Sequence, residues 1–124
     1  MKIFITGSSG FIGFHLSKKL LDKGHIVQGF DSMNNYYDVK LKKKRYQILK
    51  KYKNFLFKKG NLENKKTLAN VVLRFKPKII IHLAAQAGVR YSIEKPRVYL
   101  DTNIIGTYNI IELSKKINVN HLLI

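Results

Sequence analysis

The sequence contains no cysteine, which excludes a disulfide framework and any thiolate-based metal site. It has no run of about 18 apolar residues, so no membrane-spanning helix is expected. Internal repeats, flexible linkers and low-complexity tails are absent, and 124 residues suit one domain at most. Met1 to Ile5 enter an apolar run at once, leaving no room for a signal peptide, so the cytoplasm is the expected compartment. Acids are scarce as well: seven Asp and Glu face 24 Lys and Arg, for a net charge of +17. Against these shortages stand 45% hydrophobic residues, enough to bury a core and to exclude general disorder.

The positive charge admits two readings. A basic patch such as Lys42-Lys43-Lys44-Arg45 could serve nucleic acid or an anionic surface. However, lysine outnumbers arginine twenty to four, as A/T-rich codon usage would produce, and the lysines fall mostly on polar helix faces rather than in one stripe. Composition bias is the better account, and nucleic acid is not expected as a main partner.

The order of strand and helix patterns predicts a parallel sheet covered on both faces. Strand one is expected near 2–6. A helix near 12–23 follows, carrying Phe11, Ile12, His15, Leu16, Leu20 and Leu21 at helical spacing, with Gly24 at the place of a left-handed cap. Ile26 to Phe30 reads as strand two, closed by Asp31. A polar, tyrosine-bearing stretch from Ser32 to Asp38 then leads into a lysine-rich helix ending near Tyr52. Phe55-Leu56-Phe57 reads as strand three. A helix over 64–75 turns Leu68, Val71, Val72 and Phe75 inward and is stopped by Pro77. Strand four spans Lys78 to Leu83. A small-residue loop from Ala84 to Lys95 precedes a long helix from Pro96 to about Ile117. His121 to Ile124 begins strand five. The fold class is α/β, a Rossmann-type doubly wound parallel sheet, incomplete at about four and a half strands.

The segment Thr6-Gly7-Ser8-Ser9-Gly10-Phe11-Ile12-Gly13 joins the first strand to the first helix by a glycine-rich turn. Such a turn aims backbone N–H groups and a helix N-terminus at one point, which suits a pyrophosphate. Gly7 permits the turn, Gly10 admits the phosphates, and Gly13 lets the helix approach the strand. Asp31 lies 18 residues beyond Gly13, near the spacing of the acid that binds an adenosine ribose through its 2′-hydroxyl. A carboxylate there repels a 2′-phosphate, which favours NAD over NADP. The alternative for Asp31 is a turn or cap residue. Ala84, Ala85 and Gln86 follow strand four and should face the glycine turn across the switch point of the sheet. His82 reads as a strand residue with a satisfied ring, and no metal is expected.

At these residues the chain resembles the extended short-chain dehydrogenase/reductase family, the NAD-dependent epimerase/dehydratase group. The matching positions are the glycine turn, Asp31, Gly60-Asn61-Leu62, His82-Leu83-Ala84-Ala85 and Asp101-Thr102-Asn103. Asn35-Tyr36-Tyr37-Asp38 with Leu41-Lys42, and Gln86-Ala87-Gly88-Val89-Arg90-Tyr91-Ser92, are most similar to its UDP-glucuronate 4-epimerase branch. The resemblance implies oxidation at C4 of a nucleotide sugar, a UDP-hexuronate, by bound NAD, and return of the hydride to the other face. It implies that Gly7, Gly10, Phe11, Ile12, Gly13 and Asp31 hold the ADP half, that Asn61 and Leu62 border the adenine, and that Ala84, Ala85 and Gln86 line the cofactor path. Asn103 would lie beneath the nicotinamide side, and Gly88, Val89 and Arg90 would approach the sugar. Position 61 is usually Asp in the family; Asn keeps a carbonyl acceptor but loses the charge.

The family's catalytic groups, a Ser/Thr after strand five and a Tyr-x-x-x-Lys on the next helix, are expected beyond Ile124. Three Tyr-x-x-x-Lys spacings do occur, Tyr36/Lys40, Tyr46/Lys50 and Tyr91/Lys95. The first two fall on the adenosine side, and Pro96 disfavours helix at Lys95. No catalytic residue is therefore assigned. Residues 1–124 read as the N-terminal part of an NAD-binding Rossmann domain without its substrate domain, expected to turn nothing over unaided. The surplus apolar residues of the helix over 97–117 (Val98, Ile104, Ile105, Tyr108, Ile111 and others) suggest a homodimer contact or packing against further chain.

Overall fold

A computed structural model describes residues 1–36 and 38–124; Tyr37, within the tyrosine-bearing stretch, lies outside the described residues. Five parallel strands form one sheet in the order β3-β2-β1-β4-β5. They are β1 (Lys2–Thr6), β2 (Ile26–Asp31), β3 (Phe55–Lys59), β4 (Ile79–His82) and β5 (His121–Leu123). Helices α1 (Phe11–Asp22), α2 (Val39–Leu49), α3 (Lys65–Phe75), α4 (Val89–Glu94), α5 (Pro96–Tyr99) and α6 (Gly106–Ile117) connect them. Among the described residues no helix is long and apolar enough to cross a membrane.

A strand buried on both faces needs apolar residues at odd and even positions alike. Ile3, Phe4 and Ile5 in β1 and the run of three isoleucines in β4 supply them. Alternation then divides the core into two layers. Phe4 and Ile80 pack with Phe30 beneath α3 and α6, among Leu68, Val72, Phe75, Ile110 and Leu113. Ile3, Ile5 and Ile81 pack on the other face with Phe14, Leu21, Val27 and Leu49, beneath α1 and α2. Burial of one such side chain is worth about 1.5–3 kcal/mol. Asp38 caps α2 by accepting the Lys40 N–H at 2.9 Å, and Asn64 caps α3 by accepting that of Thr67 at 3.2 Å. α3 ends on Lys76 in the left-handed region (φ 54°), one residue before Pro77.

Three elements depart from the sequence reading. In α1 the buried residues are Gly13, Phe14, Ser17 and Leu21, whereas Phe11 and Ile12 are 68% and 65% exposed and His15 is exposed too. The reason is the close approach of the helix at Gly13, which turns a different face to the sheet. The segment expected to be loop from Ala84 to Lys95 contains α4. Gly88 turns the chain at φ 104°, and the Tyr99 hydroxyl donates to the carbonyl of Ala87 at 2.7 Å, tying the start of α4 to α5. The long helix from Pro96 is also not uniform, because Leu100–Ile105 is a π-helical turn between α5 and α6.

Candidate functional site

Strands β2 and β3 lie on one side of β1, and β4 and β5 on the other. At the carboxyl ends of β1 and β4 the connections diverge, and that divergence leaves a cleft. Its volume is about 760 Å³, and it runs from α2 across the glycine turn to the segment after β4.

Gly7 occupies φ 74°, and its N–H donates to the Phe30 carbonyl at 2.8 Å, which locks the turn to β2. A Cβ on Gly13 would stand 2.0 Å from the Gly7 carbonyl oxygen, so no other residue lets α1 begin this close to β1. The first N–H groups of a helix have no acceptor within it, and neither a capping side chain nor an acid of the first turn supplies one here. The helix therefore presents bare donors and its positive end to the cleft.

Asp31 closes β2 with its side chain 2% exposed. Its Oδ2 accepts the Ser9 N–H at 3.0 Å, and its Oδ1 accepts the Met33 N–H at 2.8 Å and the Lys42 ammonium at 3.0 Å. The turn role and a position in the cleft wall thus coexist in one residue. Arg45, one turn further along α2, donates to the Ser9 carbonyl at 3.2 Å and stands 5.9 Å over the Phe11 ring.

Across the cleft, Thr6 Oγ1 accepts the N–H groups of Leu83 and Ala84, each at 3.1 Å. With both lone pairs used, its hydroxyl proton goes to His82 Nδ1 at 2.7 Å, and His82 Nε2–H then donates to Thr107 Oγ1 at 2.9 Å. The ring is neutral and satisfied, and its burial pushes the pKa down to about 4. Asn103, on the π-helical turn, accepts the Gln86 N–H at 2.8 Å and donates to the Gln86 carbonyl at 3.0 Å.

Eleven residues expected from the sequence line the cleft: Gly7, Gly10, Phe11, Ile12, Gly13, Asp31, Asn61, Leu62, Ala84, Ala85 and Gln86. Asn103 does not reach it and instead clamps Gln86, which does. Gly88, Val89 and Arg90 lie outside its lining; Val89 is 83% exposed, and Arg90 has a 3.9 Å contact with Glu94. Lys42, Arg45 and Tyr91 line the cleft without having been expected there, and Tyr36, placed by the sequence on the adenosine side, lines it too. The Tyr36 and Tyr91 rings are 4.7 Å apart. A sequence signal existed for the two cations. Lys42, Arg45, Tyr46 and Leu49 follow the i, i+3, i+4, i+7 spacing of one helix face, so the first two must face whatever Leu49 faces.

Residues 4–123 match the GDP-mannose 4,6 dehydratase family. The chain belongs to this family. A probable UDP-glucuronate 4-epimerase of Rhizobium meliloti (strain 1021) is 48% identical over 124 residues, which are 100% of this chain and 36% of that protein. The UDP-glucuronate 4-epimerase of Thermodesulfobacterium geofontis is 43% identical over 120 residues, 97% of this chain and 37% of its own. Among solved structures, a UDP-glucuronic acid 4-epimerase from Bacillus cereus, in complex with UDP-4-deoxy-4-fluoro-glucuronic acid and NAD, superposes with TM-score 0.84 at 31% identity, over 98% of this chain and 38% of that one. This member of the dehydratase family thus spans little more than a third of the length of these three relatives.

Proposed function

We propose that residues 1–124 are the NAD-binding portion of a nucleotide-sugar 4-epimerase acting on a UDP-hexuronate, the N-terminal part of a Rossmann domain with no substrate domain among these residues. The observation that carries this reading is the cradle itself: a glycine turn in which Gly7 and Gly13 leave no room for a Cβ, an uncapped helix start and a buried acid at the end of the adjacent strand. These residues fit a dinucleotide, the pyrophosphate on the N–H groups of α1 and the adenosine ribose against Asp31. Asn61 and Leu62 would border the adenine. Ala84, Ala85 and Gln86 would flank the nicotinamide half, with Asn103 holding Gln86 in place. When bound, NAD supplies the acceptor and donor of a hydride at the sugar C4. Gly88, Val89 and Arg90 would meet the hexuronate, with the Arg90 guanidinium suited to its carboxylate. The relatives named above, several of them described as UDP-glucuronate 4-epimerases, support the sugar.

Isothermal titration of the 124-residue chain with NAD, together with an assay of UDP-glucuronate epimerisation, tests the reading. Weak NAD binding without turnover is expected, because the acid/base pair that the family resemblance implies is assigned to no residue of 1–124. Failure of a folded chain to bind NAD overturns the cofactor assignment, and turnover overturns the assignment of no catalytic residue. A homodimer through the helix over 97–117 is part of the same reading, supported by an exposed apolar row of Leu100, Ile104, Ile105, Tyr108 and Ile111.

A further inference from the structure

β3 is an edge strand of the sheet, and its two faces are covered unequally. Phe55 is buried in the layer under α1 and α2, whereas Leu56, on the opposite face, is 49% exposed. On that face Leu68, Val72 and Phe75 of α3 pack in the layer of Phe4, Phe30 and Ile80. Between the flank of α3 and the strands β2 and β3 a second cleft remains, of about 490 Å³, a size that suits a small ligand. It shares no lining residue with the dinucleotide cleft.

The floor of this cleft holds a residue that a core layer does not call for. Gln28 stands in register between Phe4 of β1 and Leu56 of β3, is only 7% exposed and lines the cleft. Its amide makes one hydrogen bond among the described residues, from Nε2 to the Gly29 carbonyl at 3.0 Å. One N–H and the carbonyl oxygen are left over. An amide so placed destabilises the fold unless something pairs with it. A donor and an acceptor on one planar group complement an edge of the same kind, as a nucleobase presents.

The rim is basic. Lys2, Lys58 and Arg74 line the cleft and no acid does; among the described residues none of the three joins an ion pair. The Lys2 ammonium stands 5.5 Å over the Phe75 ring. Lys58 projects from the same face of β3 as Leu56, because side chains alternate along a strand. Arg74 shares one side of α3 with Thr67, Asn70 and Val71 through i, i+3, i+4, i+7 spacing. Unneutralised cations attract phosphate, and a guanidinium can grip it with two parallel hydrogen bonds. Leu56, Val71 and Phe75 supply apolar wall for a flat ring between the two polar ends.

We propose that this cleft is a second binding site, for a nucleoside monophosphate, with its phosphate on Lys2, Lys58 and Arg74 and its base edge on the Gln28 amide.

The test is an NMR titration of the full 124-residue chain with AMP and with ribose 5-phosphate, affinity being read at each cleft from its own backbone amides. The variants are Gln28→Met, Arg74→Glu and Lys43→Glu, each first checked by thermal unfolding. AMP should shift the amides of Gln28, Lys58, Asn70 and Arg74, whatever it does at Gly7 to Gly13. It should bind there about tenfold tighter than ribose 5-phosphate, the value of a pair of neutral hydrogen bonds. Gln28→Met should abolish that preference, and Arg74→Glu should weaken both probes by about tenfold or more. Lys43→Glu makes the same charge reversal at an exposed position of α2, on the other face of the sheet, and should leave both nearly unchanged. The proposal is overturned if AMP moves only the amides of Gly7 to Gly13, or if ribose 5-phosphate binds as tightly as AMP. It is also overturned if Lys43→Glu weakens binding as much as Arg74→Glu. These outcomes decide it whether or not Gln28→Met folds.

Discussion

His82 shows how one residue ties the strand ends to the sheet above them. Its Nδ1 accepts from a Thr6 hydroxyl whose own lone pairs are filled by the N–H groups of Leu83 and Ala84. Protonation at Nδ1 would set two donors against each other inside the core. Burial holds the folded pKa near 4, below the ordinary value of about 6.5. The unfolded chain therefore binds the extra proton first, and the stability this group confers, present above pH 6.5, is lost as pH falls from about 6.5 toward 4. Between pH 7 and pH 5 the loss should be about 2 kcal/mol. Urea denaturation of wild type and His82→Gln at the two pH values measures it, and the variant should show that much less pH dependence. Equal slopes for the two proteins would remove the Thr6–His82 network from the account.

At the scale of elements, the π-helical turn over Leu100–Ile105 is the feature that joins the last helix to the cleft. A turn wider than the α-helical one carries Asn103 toward the segment after β4, and such turns recur at functional sites. The Asn103 amide carries both donor and acceptor groups, and one of each meets the C=O and N–H of a single residue, Gln86. Asn103→Asp keeps the acceptor for the Gln86 N–H but places a charge against the Gln86 carbonyl. Asn103→Ala removes both partners from a half-buried backbone. Each should cost about 2 kcal/mol of unfolding free energy, read from denaturant midpoints, and should speed proteolysis between Ala84 and Lys95. Wild-type values for both variants would show that Gln86 is held by other contacts. Just beyond, Gly106 lies against Leu62, where an added Cβ would come 2.6 Å from that side chain, so α6 packs tightly on the segment after β3, though less closely than α1 packs at Gly13.

For the molecule as a whole, both inner layers of the sheet are closed, by Leu21, Leu49 and Phe55 on one face and by Leu68, Ile110 and Leu113 on the other. The outer side of the helix over 97–117 leaves Ile104 at 60% and Tyr108 at 58% exposure. Isolated apolar residues on a surface are ordinary, but a contiguous row marks a contact. The net charge of +17 opposes association through repulsion and is screened by salt. Light scattering after gel filtration in 0.15 M salt should therefore report a concentration-dependent dimer. The double substitution Ile104→Gln with Tyr108→Gln should return the chain to a monomer. A wild-type chain that stays monomeric at every concentration would remove this face as a homodimer contact.

By itself the sequence determined the five strands, the place of the glycine turn and the acid at the end of β2. These rest on local rules: apolar runs for strands buried on both faces, glycine where backbone approaches backbone, and spacing along one chain. It also determined eleven of the residues that line the cleft, because a motif read along the chain carries its own geometry. Only the tertiary structure decided which face of α1 turns inward, since close packing at Gly13 rotates that helix in a way its apolar spacing does not encode. It alone set the helix face of Lys42 and Arg45, which their spacing already marks, beside Asp31, and brought Tyr36 to Tyr91 across 55 residues of chain. The physical reason is the same in each case. Contacts between elements depend on how the sheet orders its strands, and that order is fixed by burying both layers at once rather than by any stretch of residues alone.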